Sequence, residues 1–233
     1  MKKKRKLNKL YILFPLCVCL IAGASIMATL AFLTDEEEAL NVFTTGKVDI
    51  GLTEAVVNTE GEPLKDGAPV ADVRDADRTK KGNAYHLIPG LTYVKDPTIT
   101  VEPDSEEAFV RVLVSFNCMR ELDEIFKPDG ADLLKIFNGY DSQTWKYVDA
   151  ERDDAENTII YEFRYKEKVK NEGREAVKLD PLFGSFTVPE TMTGDQLASI
   201  KDLKIRIKGQ AIQTAVMDTE EDAWAAFEQQ YPN

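Results

Sequence analysis

His86, Cys118 and a scatter of neighbouring acids are the residues from which this 233-residue chain could build an active centre. His86 is the single histidine. A His-Glu-x-x-His zinc motif therefore cannot form, and zinc held by one histidine and carboxylates would be atypical. Standing before Leu87-Ile88-Pro89-Gly90, His86 is expected to be structural or solvent-facing. Cys118 sits in no recognisable catalytic motif and reads as a buried structural thiol. Glu106-Glu107 and Asp153-Asp154 are adjacent pairs, which mark turns and not carboxylates held apart for acid–base work. Asp72, Asp75 and Asp77 cluster in a polar stretch. As calcium candidates they are weak, lacking the glycine and terminal glutamate of an EF-hand loop. A solvated acidic loop is the simpler reading. Serine-hydrolase and phosphate-loop patterns are also missing, so the residues predict neither an enzyme nor a cofactor. Trp145 and Trp224 could stack on sugars, but their apolar neighbours make core anchors the first expectation.

The formal charge is −12, and hydrophobic residues make up 43%, which suits a globular body. Lys2, Lys3, Lys4, Arg5, Lys6 and Lys9 all precede an apolar stretch, so the body is more acidic than the total. Such a body disfavours phosphate backbones, which excludes nucleic acid as a partner. It also makes self-association work against repulsion. Cys17 and Cys19 lie in the apolar stretch and leave Cys118 alone in the body. An exported domain without disulfides fits a Gram-positive bacterium.

The basic start, the apolar run from Leu10 to Ala31 and the small residues Ala22, Gly23, Ala24, Ser25 and Ala28 form the pattern of a long secretory signal. An uncleaved anchor is the alternative, and either reading puts the body outside. The string Ala28-Thr29-Leu30-Ala31-Phe32-Leu33-Thr34-Asp35 is followed by Asn41-Val42-Phe43-Thr44-Thr45-Gly46-Lys47-Val48-Asp49-Ile50. It resembles the start of the TasA and camelysin (CalY) family of Firmicutes, which carry a SipW-type signal peptide. Further matches are Ile88-Pro89-Gly90, Val94-Lys95-Asp96-Pro97, Ala108 to Val112, and Ile205 to Gln213 followed by Ala223-Trp224. The resemblance implies a cut by a SipW-type signal peptidase within Ala28, Thr29, Leu30 and Ala31. The expected organisation is a signal peptide over 1–30, an N-terminal extension over 31–46 and a domain over 47–233 with a polar insertion at 54–84.

Within the body, alternation marks strands at Val48–Leu52, Leu91–Lys95, Thr98–Val101, Ala108–Phe116, Trp145–Val148, Thr158–Val169, Leu182–Val188 and Leu203–Gln213. Trp145–Val148 and Thr158–Val169 read as a hairpin. Helical spacing over Cys118–Phe137, broken at Pro128-Asp129-Gly130, predicts two short helices over one end of the sheets. Thr193–Ile200 is a further short helix, and Thr219 with Asp222 opens a terminal one. There is no βαβ rhythm. The fold class is mainly β, a two-sheet antiparallel sandwich with short helical inserts and a C-terminal helix. The resemblance makes it jelly-roll-like.

A cut near Ala31 leaves an apolar tip, Phe32 and Leu33, on an acidic tether leading to Leu40, Val42 and Phe43. These residues could donate a strand to a neighbour's sheet edge, or Leu40–Phe43 could be the first strand of their own domain. Head-to-tail donation does not close and gives a filament. The resemblance implies this outcome, a secreted biofilm-matrix fibre whose partners are its own copies or related matrix proteins. Two alternatives stand beside it. One is a camelysin-like secreted metalloendopeptidase. The other is a surface adhesin anchored by its leader.

Overall fold

The computed structural model describes residues 41–45, 47–126, 133–200, 202–214 and 219–231. They belong to the unit Glu38–Asn233, and the unit Met1–Glu37 lies outside the described residues. The described residues open with β1 (Asn41–Thr45) and β2 (Ile50–Ala55). The polar insertion then forms a small hairpin, β3 (Leu64–Lys65) and β4 (Ala68–Pro69), a 3₁₀ turn at Val73–Asp75, and β5 (Arg78–Thr79). β6 (Thr92–Val94), β7 (Thr98–Val101) and the long β8 (Ser105–Phe116) follow. Helix α1 (Met119–Phe126) and a 3₁₀ turn at Leu133–Ile136 lead to β9 (Phe137–Asn138). Next come β10 (Trp145–Asp153), β11 (Thr158–Tyr165), β12 (Val169–Asn171), β13 (Val177–Lys178) and β14 (Ser185–Thr187). Helix α2 (Gly194–Ser199), β15 (Ile205–Gln213) and helix α3 (Glu220–Gln230) complete the described residues.

The fold is mainly β, a sandwich with short helices and a C-terminal helix. One sheet runs β1-β15-β8-β11-β10, with β12 also on β8. The other runs β13-β7-β2-β5, beside a small sheet β6-β14-β9. The alternation that marked β8 holds: Ala108, Val110, Val112, Val114 and Phe116 are all buried in the main core. Across from them stand Ile50, Leu52, Ile99 and Val101. Facing sheets approach closely at Gly209 of β15. A Cβ there would lie 2.6 Å from Ile99 Cδ1, so only glycine fits without displacement. Gly61 of the insertion is as constrained, with φ of 80° and Tyr93 Cα 2.7 Å from where a Cβ would be.

The structure departs from the sequence reading in several places. The sandwich was expected to begin at 47, but β1 already belongs to its sheet and pairs parallel with β15. The strand expected over Thr158–Val169 ends at Tyr165, and the chain resumes lower on β8 as β12. The strand at Leu182–Val188 shortens to Ser185–Thr187. The outward face of β8 and β15 is roofed: Phe109 and Ile212 form a second core with Ala223, Trp224 and Phe227 of α3. Gln210, which alternation turns outward, is therefore buried.

Candidate functional site

The N-terminal strand builds the first candidate. Its register on β15 runs from Asn41 opposite Lys208 to Thr45 opposite Ile212. Val42 and Phe43 stand opposite Gly209 and Gln210, and β1 also lies against β2, at the seam between the sheets. β1 is the terminal strand of its sheet, so β15 keeps β8 on one side and holds β1 alone on the other. Only residue 46 separates β1 from the first anchored position. The Lys47 carbonyl accepts from Glu106 N–H at 2.9 Å. Two residues on, the Asp49 carbonyl accepts from Glu102 N–H at 2.9 Å and from the Ser105 hydroxyl at 3.1 Å. Val48 between them is buried. The body is thus fastened from Lys47 onward, and β1 is held against it by an edge ladder on β15. Because the pairing is parallel, β1 runs in the same direction as β15, and its first residue Asn41 stands three residues beyond Ile205, which with Leu203 lines a cavity.

That cavity, about 240 Å³, lies under the helices that the sequence placed over one end of the sheets. Leu122 and Phe126 of α1, Leu133, Met192, Leu197 and Ile200 contribute to its apolar wall.

Of the remaining predicted site residues, Ala28, Thr29, Leu30, Ala31, Phe32, Leu33 and Leu40 lie outside the described residues. Asp72 is taken up by Arg74, whose side chain and backbone bonds hold its carboxyl down to about 2. Asp77 accepts from Asp66 N–H at 2.8 Å. Among the described residues no three His, Cys, Asp or Glu side chains converge as a metal would require, and this includes Asp72, Asp75 and Asp77. His86 is exposed, and its backbone is tied to Thr59 and Tyr93. Cys118 is half-buried at the turn from β8 into α1, with φ of 58°. Burial, then Glu121 and Asp202, push its thiol up. Trp145 is buried and donates to the Asp180 carbonyl at 3.2 Å. Trp224 is buried under Arg111, whose guanidinium lies 4.3 Å from the ring centre.

Two charged clusters escape a reading by motif. On the roofed face, Arg111 is buried and bonds Gln210, Glu162 and Glu228. On the opposite side, Glu54 and Lys95 form a buried pair with Asn83 against it. A glutamate in an alternating strand and a lysine two residues before a proline give no signal of pairing until the fold joins them.

Comparison with protein-family models, with curated proteins and with solved structures gives no match. The likeness to the TasA and camelysin family rests on the sequence motifs alone. No helix among the described residues is long and apolar enough to cross a membrane.

Proposed function

We propose that this is a secreted structural protein of the extracellular matrix or cell surface, which assembles into fibres by exchanging its N-terminal strand between copies. The carrying observation is the attachment of β1: an edge strand joined through residue 46 to a body already pinned at Lys47. A strand in this position fills the β15 edge of its own body, and the same ladder can be made by the strand of another copy. Exchange of this kind needs no new contact chemistry. It replaces one intramolecular ladder by an identical intermolecular one, and chain growth follows because each acceptor still has a strand to give. Export before assembly, by a cut within Ala28–Ala31, belongs to the same reading and rests on the signal-like leader.

The test uses the register. Asn41→Cys and Lys208→Cys, in a Cys118→Ser background, place thiols on paired Cα positions. Oxidation of assembled material is expected to give a covalent ladder of multimers, and oxidation of dilute monomer an internally closed chain that no longer assembles. Multimers that oxidise only within each chain would end the exchange reading.

A further inference from the structure

The buried cluster where the polar insertion rejoins the sandwich has a composition that ion pairing alone does not require. Glu54 of β2 is 0% exposed and Lys95, between β6 and β7, is 4% exposed. Lys95 Nζ donates to Glu54 Oε2 at 2.8 Å. The other oxygen, Oε1, accepts from Asn83 Nδ2 at 2.8 Å and from Asn83 N–H at 3.1 Å. One buried carboxylate therefore holds a primary amine on one oxygen and a carboxamide on the other. The carboxamide is itself fixed. Its Oδ1 accepts from the Val57 backbone N–H at 3.2 Å, and its Nδ2 donates to the Ala55 carbonyl at 2.8 Å. Tyr85 closes one side, its ring centre 5.9 Å from Lys95 Nζ. Asp96, paired with Arg78 and accepting from Ala55 N–H, closes another.

A buried ion pair is costly to assemble and is often no better than apolar packing of the same volume. This one, however, holds a nucleophile and an electrophile on the two oxygens of one buried proton carrier. Those are the elements of intramolecular acyl transfer: orientation, a general acid–base between the attacking and leaving atoms, and a backbone donor on the oxygen that gains charge.

We propose that Lys95 and Asn83 join in an intramolecular amide bond, with Glu54 relaying the protons. Glu54 takes a proton from the Lys95 ammonium, and the freed amine attacks Asn83 Cγ. The negative charge gathers on Oδ1, which faces the Val57 N–H. Glu54 passes its proton to Nδ2 and takes a second from Nζ. The Cγ–Nδ2 bond then breaks, and ammonia leaves with the remaining proton as ammonium. An ammonium and a primary carboxamide become a secondary amide and a free ammonium ion. Glu54 ends as the carboxylate it began as, and no oxidant, reductant or co-reactant is consumed. The product bolts the returning end of the insertion to the segment between β6 and β7. It does so in a body whose one cysteine can make no internal disulfide.

The experiment is mass spectrometry of the folded full chain, at whichever N-terminus it carries, followed by peptide mapping. The expected result is a mass lower by one ammonia and a branched peptide containing both Asn83 and Lys95. Glu54→Gln and Lys95→Arg restore the full mass, and Asn83→Asp gives a deficit of one water in its place. Three results would overturn the proposal: an uncrosslinked wild type, an ammonia deficit confined to the Asn83 peptide with Lys95 free, or a water deficit linking Lys95 to Glu54. The wild-type mass decides even where a variant fails to fold.

Discussion

At the scale of single residues, what a side chain touches sets both its titration and its tolerance to change. Tyr85 donates its hydroxyl to the Val94 carbonyl at 3.0 Å beside the Glu54 cluster. Burial lifts its pKa far above the usual 10.0, and the negative charge of Glu54 adds to the rise. Because the folded value is the higher one, the folded chain keeps this proton at a pH where the unfolded chain releases it. The contribution to stability is thus complete below pH 10 and falls as pH rises beyond it. Thermal unfolding followed from pH 8 to 11 should show a steeper alkaline loss in the wild type than in Tyr85→Phe. Parallel curves would remove Tyr85 as the cause. Below pH 10 the Phe variant should be less stable by about 1 kcal/mol for the missing hydrogen bond. Gly209 is limited by space and not by charge. Its Cβ would meet Ile99 Cδ1 at 2.6 Å and Leu52 Cδ2 at 3.7 Å, so Gly209→Ala must push the two sheets apart or turn Ile99. A cost of about 1–3 kcal/mol is expected in chemical denaturation. Paired with Ile99→Val, which removes the struck methyl, the loss should shrink. An undiminished loss would place the strain elsewhere.

At the scale of elements, α3 shows how far local pattern reaches. Thr219 caps it by accepting from Asp222 N–H at 3.1 Å, as the spacing predicts, and the pairing of β10 with β11 follows from their alternation and the polar turn between them. Such features are legible because the residues that determine them lie close in the chain. The face on which α3 rests is not legible. Lys208 and Gln210 carry the same signal whether they meet water or a helix. Here Gln210 is buried against Arg111, and burial first, then Arg111, pushes Lys208 down. The same limit applies to Glu54, Asn83 and Lys95, three polar residues whose meaning arises from contact between distant segments. It applies to β1 as well, since the partner of a terminal strand is no property of the strand. The energetics of α3 follow from its small core. Trp224 and Phe227 are its main apolar anchors, and the acids Glu220 and Glu221 reach Arg164 from the first turn. Trp224→Ala should cost about 3–5 kcal/mol of the helix's attachment. The main core does not include these residues, so the helix should open before the sandwich does. Hydrogen exchange is the check. Fast exchange confined to 220–230 in the variant supports this order, whereas uniform loss of protection would make α3 integral to the whole fold.

At the scale of the whole molecule, net charge decides how readily copies meet. The chain carries −12, and the part after its basic start is more acidic still, so copies of the body repel. Strand exchange does not relieve this, because it trades like ladders and brings two acidic bodies together. Screening does relieve it: the reach of the repulsion falls from about 30 Å at 0.01 M salt to about 10 Å at 0.1 M. The opening of β1 is a different barrier. It breaks a five-residue backbone ladder whose bonds depend little on ionic strength. The two barriers are therefore separable in one series. If encounter limits assembly, fibre growth followed by light scattering should rise steeply between 0.01 and about 0.1 M salt and then level off, with the melting temperature of the monomer nearly constant. If opening limits it, growth stays flat with salt but speeds up when the β1 ladder is weakened, as by Val42→Pro, which removes a backbone donor. A growth rate indifferent to both salt and Val42→Pro would leave neither repulsion nor strand release in control, and exchange of β1 would no longer account for assembly.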